Sequence, residues 1–201
     1  MEKPKIQNKE LRLFNGNVEV RSVTEGEKRT IGGYAIKYNQ QSQPIRDRWG
    51  DRFIEEFAPG AFDESLEKRT QKALWNHKAE FPLGSVKSGT LRVNSDNVGL
   101  AFENDLPSNS WGNDAYESIN RGDVDGVSFG FRCLEDKWSK VTVGEEEVYK
   151  RTVMKAELYE ISPTTFPAYE SSEVSCRSLE DFKNELKNRE LRRKLLIQTM
   201  F

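Results

Sequence analysis

The chain contains one histidine, His77. Any chemistry that needs an imidazole therefore passes through it, and a site built on two histidines is excluded. A group it could serve is Ser128, in Asp125-Gly126-Val127-Ser128-Phe129-Gly130-Phe131. Read as a β-strand, this stretch has one apolar face (Val127, Phe129, Phe131) and one nearly bare face (Gly126, Ser128, Gly130). A hydroxyl between two glycines is poor packing material but leaves room for a close backbone. Either a neighbouring element or a substrate fills that space. Glu160 shares strand parity with Leu158 and Ser162, where a carboxylate needs a partner, and Glu157 has the opposite parity. An arginine or lysine across the strand would serve, as would an imidazole N–H. Serine nucleophiles need a base within about 2.6–3.2 Å and a third group that orients the base. Ser128, His77 and Glu160 are the right types for those three parts, each on or beside a predicted strand. A half-exposed His77 beside a turn, and a Glu160 held in a simple salt bridge, are the alternatives. Donors for an oxyanion would come from Thr164, Thr165 and Phe166, between Pro163 and Pro167.

Other chemistries find less support. There is no phosphate-binding loop, dinucleotide fingerprint or H-E-x-x-H. Asp123 and Asp125 beside Gly122 and Gly126 read as turn formers. Cys133 and Cys176 lack metal-ligand spacing, and Cys133 shares parity with Phe129 and Phe131, which suits packing. No metal or cofactor is expected.

The elements that must position these groups are short. Asn15-Gly16-Asn17 between alternating runs predicts a hairpin. A strand is expected over 30–38, a loop over 39–52, a strand over 53–57 and a helix over 61–68. The strand at 72–77 ends on the histidine, with a turn at 78–82. A hairpin follows over 90–106, then a helix over 111–121 stopped by Gly122. After the Ser128 strand, an acidic turn at 144–147 leads into a β-rich run over 148–161, and 178–198 is charged and helix-forming. Nine or ten hairpin-linked strands predict a mainly β fold with a few helices, its largely antiparallel sheet closed or strongly curled.

At 201 residues the chain fits one domain plus tails. The expected division is a flexible segment at 1–10, a catalytic domain at 11–177 and a charged helical tail at 178–201. With 35% hydrophobic and 32% charged residues, a single modest core is expected. No apolar run approaches the roughly 18–20 residues of a membrane span. The first ten residues carry no apolar stretch, which predicts a chain that is not secreted, and two cysteines suit a reducing compartment. A net charge of −2 with mixed signs argues against a nucleic-acid surface.

With these residues in view, the chain resembles the tailed-phage prohead protease family. The segments that carry the resemblance are, in order, Gly33-Tyr34-Ala35, Glu56-Phe-Ala-Pro-Gly-Ala-Phe62, Ala73-Leu-Trp-Asn-His77, Pro82-Leu-Gly84, Gly89-Thr-Leu91 and Gly99-Leu-Ala-Phe102. They continue with Arg121-Gly-Asp-Val124, Gly126-Val-Ser-Phe-Gly-Phe131 and Glu160-Ile-Ser-Pro-Thr-Thr-Phe-Pro-Ala-Tyr169, so the match covers roughly 30–177. The resemblance implies a serine endopeptidase with a herpesvirus assemblin-like β-barrel ringed by helices. It implies a place inside the immature capsid, in the host cytoplasm. There the enzyme would cut the scaffolding segment from the major capsid protein and then cut itself. Self-association is a further possible partner. The nucleophile would be Ser128 and the base His77. The herpesvirus relatives use a second histidine as third member, and this chain has none left. The third member is then a carboxylate or absent, with Glu160 as first choice and Glu157 and Asp125 as fallbacks. Gly126 and Gly130 would border the substrate groove beside Thr164 and Thr165. The rival readings are a non-catalytic capsid assembly factor and a serine esterase or amidase acting on small substrates.

Overall fold

The computed structural model describes residues 9–21, 29–46, 50–165 and 177–199. Its spine is one long antiparallel hairpin, β9 (Gly126–Val143) and β10 (Glu146–Thr164). The two residues of its turn are Gly144 and Glu145, and Gly144 has φ 65°. A left-handed first turn residue matches the strand twist and favours glycine there.

Further elements attach to both sides of this hairpin. β1 (Glu10–Val20) pairs with β9 through residues 10–13 and again at Asn17, and with β2 (Thr30–Lys37) through residues 18–20. Beyond β2 lie β8 (Gly99–Asp105) and β7 (Leu91–Ser95). On the other side, the β10 edge is divided between two parallel strands: β4 (Arg52–Phe57) along residues 149–153, and β5 (Lys72–Trp75) along residues 160–161. β3 (Ile45–Arg46) borders β4, and β6 (Lys78–Ser85) borders β5. The helices are α1 (Asp63–Lys68), α2 (Ser110–Asn120) and α3 (Arg177–Thr199).

The predicted closed or strongly curled barrel does not form. The ten strands make one sheet that runs from β3 to β7, and among the described residues nothing joins those two ends. β3 has only two residues, and the β10 edge is shared by two short strands. No continuous pair of edges is available for closure. The chain is mainly β with three helices, and mostly antiparallel apart from the β4–β10 and β5–β10 pairs. The predicted Asn15-Gly16 hairpin is also replaced. β1 runs straight through with a register shift between Leu13 and Asn17, because its two halves have different neighbours.

Val127, Phe129 and Phe131 are each fully buried. Phe129 and Phe131 pack against Phe57 with ring centroids 5.5 and 5.3 Å apart, both edge-on, and Phe62 stacks on Phe57 at 5.5 Å. Edge-on and offset aromatic pairs at such distances contribute roughly 0.5–1.5 kcal/mol each beyond area burial. This cluster fixes the apolar face of β9, so Ser128 must point the other way. On α2, Asn109 caps the first turn by accepting from the Gly112 N–H at 2.9 Å.

A second buried cluster is ionic. Arg12 donates to Glu55 at 2.6 Å and to Glu10 at 2.6 Å, and Arg151 donates to Glu10 at 2.8 Å and to Glu55 at 2.9 Å. None of the four is more than 8% exposed. Burial pushes the Glu10 carboxyl up, but Arg12 and then Arg151 outweigh it and hold Glu10 below its usual range. The cluster ties β1 to β4 and β10.

Candidate active site

His77 is not at a strand end. It is the second residue of the two-residue turn that joins β5 to β6, with φ 48° at Asn76 and 60° at His77. The expected turn at 78–82 lies inside β6. Asparagine accepts a left-handed backbone readily; histidine does so at a cost, which the surroundings must meet. They do so with two hydrogen bonds from β10: the Asn76 N–H donates to the Pro163 carbonyl at 3.2 Å, and the His77 N–H donates to Ser162 Oγ at 3.3 Å. The turn thereby holds the imidazole over the bare face of β9.

On β10 a bulge changes the parity read from the sequence. Leu158 lies opposite Phe131 and Glu160 opposite Gly130, leaving Tyr159 as the extra residue. Leu158 therefore enters the core, while Glu160, Ser162 and Thr164 join the face of Gly130, Ser128 and Gly126, their register partners.

The turn and the bulge bring three groups into a chain. His77 Nε2 stands 2.7 Å from Ser128 Oγ, and His77 Nδ1 stands 2.8 Å from Glu160 Oε1. An Nδ1–H donating to the carboxylate leaves Nε2 as acceptor for the Ser128 hydroxyl. Ser128 Oγ also lies 2.9 Å from the Arg12 carbonyl. A protonated imidazole would donate to Ser128, and the hydroxyl would then turn to Arg12. Ser128 is 0% and Glu160 2% exposed, whereas the His77 side chain is 18% exposed and forms the solvent side of the site.

Glu160 is fully engaged. Its Oε2 accepts from Ser162 Oγ at 2.6 Å, and its Oε1 also meets Lys9 Nζ at 2.9 Å. Burial works to raise its pKa. The hydrogen bond and charge of His77, then Lys9, then Ser162, outweigh that and hold the carboxyl below its usual value. Glu160 is thus an anion facing the imidazole.

The two fallback carboxylates lie elsewhere. Glu157 pairs with Arg132 at 2.7 Å and Arg69 at 3.1 Å, and Asp125 is exposed just before β9. A Cβ on Gly130 would stand 2.5 Å from Glu160 Oε1 and 2.3 Å from Lys9 Cε, so the missing side chain makes room for these two residues. Gly126 lies opposite Thr164 in the β9–β10 ladder; Thr164 is buried, Thr165 is exposed just after β10, and Phe166 lies outside the described residues. Burial pushes the Cys133 thiol up to about 12, which leaves it unreactive as a nucleophile. Among the described residues no group of three or more histidine, cysteine or acidic side chains could hold a metal ion.

Ser162, Lys9 and the Arg12 carbonyl were missed from the sequence. Ser162 had a signal, since it lies two residues beyond Glu160 on one strand. Lys9 had none, because it sits in a stretch that reads as frayed.

A serine, a histidine and a carboxylate in hydrogen-bonded series are the parts of a nucleophilic hydrolase. Residues 16–185 match the family model described as caudovirus prohead serine protease. The prohead protease of Enterobacteria phage HK97 is 30% identical over 161 residues, an alignment spanning 78% of this chain and 64% of that protein. The chain thus spans less than two thirds of the length of that relative. No solved structure matches. A family match over 16–185, taking in Ser128, His77 and Glu160 alike, shows that the chain belongs to the caudovirus prohead serine protease family.

Proposed function

We propose that the chain is a serine endopeptidase of phage prohead maturation, with Ser128 as nucleophile, His77 as base and Glu160 as third member. The observation that carries this is the imidazole bridging Ser128 Oγ at 2.7 Å and Glu160 Oε1 at 2.8 Å. In this reading Ser128 Oγ attacks a peptide carbonyl while Nε2 takes its proton. Glu160 stabilises the imidazolium, which then protonates the leaving amine. Water enters by the same route in reverse, with His77 again as base, and releases the acyl group from Ser128. Residues 11–177 form the protease domain in this proposal, with 178–201 as a charged helical tail whose Leu179 is buried beside Phe53. The substrate is the scaffolding segment of the major capsid protein, followed by the protease itself, and the site of action is the interior of the immature capsid. Kinship with the herpesvirus assemblins rests on the Ser–His pair alone, since Glu160 stands in for their second histidine. A non-catalytic assembly factor would have no reason to keep a strained histidine turn aimed at a buried serine.

Labelling with a fluorophosphonate tests this directly. The reagent forms an O–P bond to an activated serine and expels fluoride. The expected adduct maps to the peptide containing Ser128 and is absent in Ser128→Ala and His77→Ala. A protein that cleaves peptides yet is labelled elsewhere would overturn the assignment.

A further inference from the structure

The Ser128–His77–Glu160 chain does not require a cation, yet one is present. Lys9 precedes β1, and its ammonium lies 2.9 Å from Glu160 Oε1, the same oxygen that meets His77 Nδ1 at 2.8 Å. Its stem lies along the bare face of β9, where a Cβ on Gly130 would stand 2.3 Å from Lys9 Cε. The side chain is 28% exposed against 3% for that of Glu160, so solvent weakens the pair without screening it out.

The other charges around the site are committed elsewhere. On β1, Glu10 and Arg12 turn into the buried ionic cluster with Glu55 and Arg151. On β5, Lys72 is the register partner of Glu160, but its ammonium donates to Ser85 Oγ at 3.0 Å. Lys78, next after the histidine, lies over the Phe81 ring at 5.7 Å. The site face of β9 offers Ser128 and two glycines. Among the described residues, Lys9 is the cation in contact with Glu160.

We propose that Lys9 is a positioning residue of the active site, which holds Glu160 in place and opposes charging of His77, so that the imidazole stays available as a base at lower pH. As a statement about catalysis it rests on the proteolytic reading above; as a statement about His77 it does not. The sign follows from Coulomb's law. A cation beside the Glu160–His77 pair disfavours imidazolium. Removing it favours imidazolium and raises the pH at which His77 loses its proton.

The single histidine makes the test direct, because its ring Cε1–H gives one unambiguous NMR signal to titrate in the full chain. Lys9→Met should move the His77 midpoint up by about half to one pH unit. Lys9→Arg, which keeps the charge, should leave it near the wild-type value. Lys9→Gln should move it as Lys9→Met does, and it serves if the methionine variant does not fold. About 0.5 M salt should shrink the difference between Lys9→Met and wild type. The acid limb of kcat/KM on a peptide substrate should shift by the same amount and in the same direction. Identical His77 titrations in wild type and the uncharged variants overturn the proposal. The titration needs no turnover, so a chain that cuts no peptide under any condition counts against the proteolytic reading and leaves the Lys9 result standing.

Discussion

Glu160 is the residue whose role depends most on its neighbours. All the contacts its carboxylate makes, with His77, Lys9 and Ser162, favour the anion. Its folded pKa is depressed, so the stability it contributes is present above its ordinary unfolded value and is lost as pH falls through the lower folded one. Acid unfolding of wild type and Glu160→Gln should therefore converge as pH drops below about 4.5. At neutral pH, Glu160→Gln should lower kcat by roughly 10²–10⁴ while leaving KM within a few-fold, because the imidazolium loses its counter-charge in the transition state. Steady-state kinetics on one peptide checks this. The proposed nucleophile, Ser128, and the proposed base, His77, were legible at this scale, the first from its bare strand face and the second from being the chain's one histidine. Lys9 was not legible, since an electrostatic partner 151 residues away leaves no local pattern.

At the scale of the element, the site depends on a turn and a bulge. The turn puts a non-glycine histidine at φ 60° next to an asparagine at φ 48°. Asn76→Val replaces a residue that tolerates this backbone with a β-branched one that does not. It should destabilise the protein by about 1–2 kcal/mol and lower activity more than its stability loss explains, because the displaced turn carries His77 with it. Comparing chemical denaturation with kcat/KM separates the two effects. Hydrophobic alternation predicted the Ser128 strand and its buried face, and helix signals predicted α2 over 111–121 against an observed Ser110–Asn120. Asn-Gly misled at residues 15–16, where two different neighbours hold β1 straight. The bulge at Tyr159 was invisible, since a one-residue insertion is set by the partner strand and leaves no mark on composition.

At the scale of the molecule, the sequence suggested a closed barrel and the sheet is open. The count of strands and their hairpin links was readable, but closure depends on which edges meet, and the parallel docking of β4 and β5 on β10 is a long-range pairing. The first half of β1 is held by the buried Glu10–Arg12–Glu55–Arg151 cluster, which lies next to the Arg12 carbonyl that faces Ser128. Arg151→Met leaves two buried carboxylates with one guanidinium and should destabilise the fold by about 3–5 kcal/mol, measured by denaturant unfolding. The function proposed above is that Ser128 of this chain cuts capsid protein. It is tested most directly by co-expressing the full chain with its cognate major capsid protein and weighing the capsid protein in the assembled particles. A shortened capsid protein is expected with the wild-type chain and a full-length one with Ser128→Ala, whose unfolding curve should match the wild type. Equal shortening with both chains would contradict it.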